Sequence, residues 1–162
     1  MLSELVDRNT TELALMAADS GRLVISCMET ADVVRTAERL VSFFPIEEHK
    51  RIRGLLSRSF RYLIAQQLVL RKDNKRQAIF EILKSTSRAR ALLERGEDWA
   101  GLTEAISKGN LEDVQTFEQE LEKLIRKGAL SLNAALRHTS HPDMLRLGVA
   151  DVPDDTSPTP EK

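Results

Sequence analysis

Gly96-Glu97-Asp98-Trp99-Ala100-Gly101 has the two-glycine spacing of a phosphate-binding loop, and the chemistry such a loop serves is phosphoryl transfer. That chemistry needs backbone N–H groups and a Lys around the β- and γ-phosphates, a hydroxyl and an Asp for magnesium, and a carboxylate that positions the attacking water. Leu102 stands where the Lys is required, and helical periodicity rather than a buried strand precedes Gly96, so the segment reads as a helix-to-helix turn. Arg71, Lys72, Lys75 and Arg76 suit phosphate contacts or an exposed hairpin tip; without interleaved aromatics for base stacking they read as a solvated loop. Arg51, Arg53, Arg58 and Arg61 suit a subunit interface or an ordinary charged helix face. His49, His138 and His141 sit in polar surroundings and read as solvated surface, and no Cys/His spacing matches a zinc site. Cys27 is the single cysteine, so it has no internal disulfide partner, and no base at a plausible spacing makes it a nucleophile; a small buried residue in a strand is expected.

A chain of 162 residues buries a core as one domain or forms a piece of a larger one. With 41% hydrophobic and 30% charged residues it reads as soluble and mostly folded. Lys and Arg total 24 against 25 Asp and Glu, so no global field draws it to nucleic acid or to an anionic membrane. Its apolar runs fall far short of the roughly 18 residues of a membrane span. The first residues lack a basic segment followed by an apolar one, so no membrane insertion and a cytoplasmic location are expected.

Elements that must position any site follow from periodicity. Leu13, Met16 and Ala17 are spaced for a helix over residues 8 to 20 that stops at Gly21. Leu23–Met28 is a short, partly β-branched run that suits a buried strand. Thr30 is a candidate cap for a helix whose Val33, Val34, Ala37, Leu40, Val41 and Phe44 recur at helical steps until Pro45. A further helix from about 47 to 58 presents Ile52, Leu55 and Leu56. Leu63–Leu70 and Ala78–Leu83 read as strands around the charged turn 71–76. Beyond residue 84 the pattern reads as wholly helical, with faces Ala89/Leu92/Leu93, Trp99/Leu102/Ile106 and Phe117/Leu121/Leu124/Ile125; Gly96, Gly109 and Gly128 fall at helix ends, and Ser131 caps the next helix. From Gly148 the chain loses periodicity and carries Pro153, Pro158 and Pro160, the signature of a disordered tail over 148–162.

Val114-Gln115-Thr116-Phe117-Glu118-Gln119-Glu120-Leu121, followed by Leu124-Ile125-Arg126-Lys127-Gly128, resembles the Met-Gln-Thr-Met-Asp-x-x-Leu helix of the twitching-motility (PilT-like) secretion ATPases, the motors that retract type IV pili. The likeness extends from about Ser3 to about Leu147 and covers the C-terminal part of that family's motor domain. Ser3-Glu4-Leu5-Val6-Asp7 resembles the Gly-Glu-Met-Arg-Asp that closes the Walker B strand, and Arg22 through Thr30 resembles the histidine box. Ile64–Leu68 with Arg71-Lys72-Asp73 is similar to the following strand, and Arg88–Gly96 to the Ala-Ile-Arg-Asn-Leu-Ile-Arg-Glu-Gly segment needed for retraction. Departures fall at chemical positions: Arg22 and Glu29 replace the two histidines, Ser3 and Val6 replace a glycine and an arginine, Ala91 replaces the asparagine, and Glu94 and Arg95 are swapped.

The resemblance implies an α/β fold, a partial RecA-like sheet formed by its terminal strands (1–83) followed by an all-helical C-terminal subdomain (84–147). It makes Glu4 the water-positioning carboxylate, against the alternative of a solvated residue at a frayed chain start. It carries the retraction role onto Arg90, Leu92, Leu93 and Gly96. ATP and magnesium belong to the family by resemblance only, and without a Walker A loop none is expected for this chain alone. The expected function is that of a truncated twitching-motility ATPase-like protein associated with ATP-driven pilus retraction, inactive by itself, whose partners are motor ATPase subunits and pilus base proteins. A non-catalytic helical adaptor or regulatory subunit bound to intact motor subunits is the alternative.

Overall fold

The computed structural model describes residues 4–96, 99, 101, 102, 106 and 114–152. Asp7 opens α1 (Arg8–Asp19) by accepting the Thr10 N–H at 2.8 Å, which satisfies one of the orphan donors of the first turn. The helix ends at Ser20, and Gly21 turns the chain with φ +88°. Its buried face is Thr11, Ala14 and Leu15, turned toward α3, whereas Leu13 and Met16 are exposed.

The run after α1 departs from the buried strand its composition suggests. Leu23 is 83% and Ile25 58% exposed, and the segment is extended with one bridge, parallel, between Glu4 and Cys27. A strand is buried on both faces only when neighbours cover both, and among the described residues only the Glu4 segment pairs with it. Cys27 is correspondingly exposed rather than buried.

α2 (Val33–Ser42) buries Val33, Ala37, Leu40 and Val41. Its cap is Asp32, whose side chain accepts the Arg35 N–H at 2.7 Å, and not Thr30, whose hydroxyl lies 2.6 Å from that of Thr36. Pro45 breaks the helical pattern and leads through a short turn, Ile46–Glu48, into α3 (His49–Ser59). Next comes a hairpin of β1 (Tyr62–Leu70) and β2 (Arg76–Lys84), with Asn74 at φ +60° in the turn. α4 (Ser87–Arg95) is capped by Thr86, which accepts the Ala89 N–H at 3.2 Å.

Beyond residue 84 the chain is not wholly helical. β3 (Val114–Gln115) joins the hairpin in a three-stranded antiparallel sheet of order β1-β2-β3, and Gln115 Nε2 donates to Phe80 O at 3.0 Å. Two residues are too few to show an alternation, so the sequence pattern carries no trace of this strand. The helix expected around Trp99, Leu102 and Ile106 lies mostly outside the described residues, as does Gly109.

α5 (Phe117–Arg126) begins with a reciprocal capping box between Thr116 and Gln119, has Glu118 and Glu120 in its first turn and Lys123 and Arg126 in its last, and so complements its own dipole at both ends. It buries Phe117, Leu121, Leu124 and Ile125, each contributing about 1.5–3 kcal/mol relative to an exposed position. α6 (Leu132–Ala135) and α7 (Pro142–Gly148) pack against it, Ser131 capping α6. Residues 148–152, the first of the expected tail, are packed: Val149 is buried and Asp151 meets Arg126 at 2.8 Å. Residues 153–162 lie outside the described residues.

The chain forms two compact units, 1–65 with 81–114 and 66–80 with 115–162. In the first, α3 packs against α1, α2 and, most extensively, α4. In the second, α5 packs against α6 and α7, and the Lys72 N–H of the hairpin turn donates to Ala129 O at 3.0 Å. No described helix is long and apolar enough to cross a membrane.

Candidate functional site

Glu4 is half-buried and held in extended backbone: the Leu5 N–H donates to Cys27 O at 2.9 Å, in parallel register. The extended run from Leu23 leads to the N-terminus of α2, where the sequence reading overlooked a carboxylate. Glu81, on β2 and 8% exposed, accepts the Val33 N–H through Oε2 at 2.8 Å. Two of the orphan donors of α2 are therefore satisfied by acids, Asp32 locally and Glu81 from the sheet. The only available signal was an acidic residue among the apolar ones of Ala78–Leu83.

The retraction-segment residues lie on or just beyond α4, and the fold gives each a different environment. Leu93 is fully buried and belongs to the core. Arg90 folds back toward the helix start, donating from Nη1 to Ser85 O and from Nη2 to Ser87 Oγ, both at 3.3 Å. Leu92 faces a cavity of about 740 Å³ between α3 and α4, with Lys50 and Arg53 on one side and Ala91, Glu94 and Arg95 on the other. Gly96 closes α4 in the left-handed conformation, φ +42°, its N–H donating to Leu92 O at 3.1 Å. A Cβ at this position would lie 2.0 Å from Arg53 Cδ, so only glycine lets the Arg53 side chain lie across the helix end. Glu4 is not among the residues lining this cavity.

The arginines of α3 and its exit divide by task. Arg51 pairs with Glu12 at 2.8 Å and with Glu48 at 2.7 Å, and Arg58 approaches Asp19 at 3.6 Å, so both tie α3 to α1. The Arg51 guanidinium, with help from Arg8, holds the Glu48 carboxyl below the usual carboxylate range. Arg53 turns to α4 instead. At the hairpin turn, Arg71 pairs with Asp73 at 3.3 Å and Lys75 and Arg76 are exposed, which suits the solvated-loop reading. His49 departs from a solvated role: it is half-buried, 2.8 Å from Phe44 O, at the junction of α2 and α3.

Residues 1–158 match the family model described as type II/IV secretion system protein. The chain belongs to that family. It is similar to a twitching motility protein of Neisseria gonorrhoeae, 32% identical over 146 residues that cover 90% of this chain and 39% of that one. The type IV pilus retraction ATPase PilT of Pseudomonas aeruginosa is 33% identical over 143 residues, 88% of this chain and 41% of PilT, and the pilus ATPase PilU of the same organism is 31% identical over 148. Among solved structures, the pilus retraction motor PilT with bound ADP superposes with a TM-score of 0.76 at 27% identity, covering 87% of this chain and 39% of that chain. The ATPase DotB of Yersinia pseudotuberculosis superposes with the same TM-score at 26% identity, covering 89% and 36%. The chain thus spans about two fifths of the length of the relatives it matches.

Proposed function

We propose that these 162 residues supply the rear scaffold of a type IV pilus retraction motor, a partial RecA-like core with its helical subdomain, without the phosphate-binding loop. The observation that carries this reading is the superposition on the PilT motor, in which 87% of this chain accounts for 39% of that one. The parallel pairing of Glu4 with Cys27 supports Glu4 as the carboxylate that closes a Walker B-type strand beside its neighbour, because it is held in the extended backbone that role requires. Arg90, Leu92, Leu93 and Gly96 supply the retraction segment, Leu93 through packing, Gly96 through its left-handed conformation, and Arg90 and Leu92 from half-buried positions on α4.

A magnesium triphosphate does not fit the residues present. The one segment with the right glycine spacing begins at a helix C-terminus, where the Gly96 N–H is already spent on Leu92 O, and Leu102 offers no charge. By itself the chain therefore neither grips nor hydrolyses ATP; it works in the cytoplasm with motor subunits and, through them, with the pilus base.

A second reading, a non-catalytic adaptor bound to intact motor subunits, draws support from edge strand β1, where Tyr62, Ile64, Leu68 and Leu70 are all exposed. Mixing the purified chain with a PilT-type ATPase, then measuring particle mass by light scattering and ATP turnover, separates the two. A heavier particle with altered turnover supports incorporation into the motor, and a heavier particle with unaltered turnover supports the adaptor. Unchanged mass sinks both.

A further inference from the structure

We propose that the cavity between α3 and α4 is a docking site for an acidic peptide segment of a partner protein. Among the described residues, three cations, Lys50, Arg53 and Arg95, line it against one carboxylate, Glu94. None of the three has an ion-pair partner among the described residues, although Arg51 and Arg58, on the same helix, both do. Arg53 Nε is buried and makes no hydrogen bond, a state that buried donors rarely keep without an acceptor to receive them. Gly96 makes this arrangement possible, since a Cβ there would lie 2.5 Å from that nitrogen.

Stabilisation of the α4 C-terminus accounts for cations nearby but not for the buried Arg53 Nε that makes no hydrogen bond. Arg53 makes no hydrogen bond to Leu93 O, the carbonyl closest to the Gly96 corner. At about 740 Å³ the cavity matches ligand pockets of roughly 300–1,000 Å³, far more than one small oxyanion occupies. Ala91 and Leu92 add an apolar floor, suited to the aliphatic stems that carry side-chain carboxylates. Charge complementarity together with this apolar lining selects a segment of Glu and Asp interspersed with aliphatic residues. The inference stands on side chains of α3 and α4 and is independent of the motor reading.

The test uses the 162-residue chain and a fluorescein-labelled Glu-Glu-Leu-Glu-Glu-Leu peptide, followed by fluorescence anisotropy. Saturable binding is expected, weakening with added salt, and about tenfold or more weaker in Arg53→Glu and in Lys50→Glu, as loss of charge-assisted contacts implies. Lys50 is exposed, so its variant reports on binding even where Arg53→Glu fails to fold, and matching circular-dichroism melts establish that the fold is kept. Lys75→Glu, at the exposed hairpin turn, is expected to bind like the parent. Equal weakening by Lys75→Glu would reduce the effect to general charge attraction and overturn the proposal. So would displacement of the peptide by inorganic phosphate at the peptide's own concentration, which would make the cavity a small-anion site, and so would absence of binding.

Discussion

Replacing Glu81 tests how the sheet holds the entry to α2. The carboxylate is 8% exposed and receives the N–H of Val33, a residue with no exposed surface, at 2.8 Å. Glu81→Leu removes the acceptor while the N–H stays buried, which costs about 2–3 kcal/mol, the upper part of the range for hydrogen bonds to charged groups. Glu81→Gln keeps an oxygen of similar reach for the Val33 N–H and loses the charge at the helix N-terminus, about 0.5–1 kcal/mol. For a chain of this size the leucine variant should melt roughly 4–12 °C lower and the glutamine variant roughly 1–4 °C lower. Circular-dichroism melts give the ranking, and amide hydrogen exchange localises it: Val33 should lose more protection than Arg35, whose N–H remains capped by Asp32. A leucine variant as stable as the parent, or a glutamine variant costing as much as the leucine one, would refute the reasoning.

Gly96→Ala should destabilise the protein by about 1 kcal/mol or more, because the residue must hold φ +42° against Arg53, and adding Arg53→Ala should restore part of the loss in a double-mutant cycle read by urea unfolding. Asp7, Glu48 and Asp151 all have carboxyls held below their ordinary range, first by hydrogen bonds from Thr10, Arg51 and Arg126 respectively. Groups shifted in that direction contribute stability that is complete above the unfolded-state value and lost as pH falls through the lowered one, so a melting series should be flat at neutral pH and decline below about pH 4. Leu68→Lys on the exposed face of β1 should change stability by no more than an ordinary surface substitution, within about 0.5 kcal/mol, yet weaken the association with a PilT-type ATPase measured by light scattering if the adaptor reading holds.

Much of the architecture is legible in the chain because single patterns decide it. α2 and α5 follow from apolar residues at three- and four-residue steps, and the hairpin from two β-rich runs about a charged turn. α1 is legible as a helix but not in its orientation, since Leu13 and Met16 mark an apolar stripe that the fold leaves exposed while Thr11 is buried. Leu23–Met28 misleads for a related reason: composition reports fitness for a strand, but burial depends on neighbours that pattern cannot supply. The candidate site divides in the same way. The helix-ending role of Gly96 is local and readable, whereas the reach of Arg53 across it and of Glu81 to Val33 are tertiary facts between segments far apart in sequence.

The most direct measurement is steady-state ATP hydrolysis by the purified 162-residue chain alone, beside its Glu4→Gln variant. A scaffold without a phosphate cradle gives the two the same background rate, with no saturation as ATP rises. Saturable turnover in the parent that disappears in Glu4→Gln would mean that these residues grip and cleave triphosphate unaided, and would contradict a scaffold role.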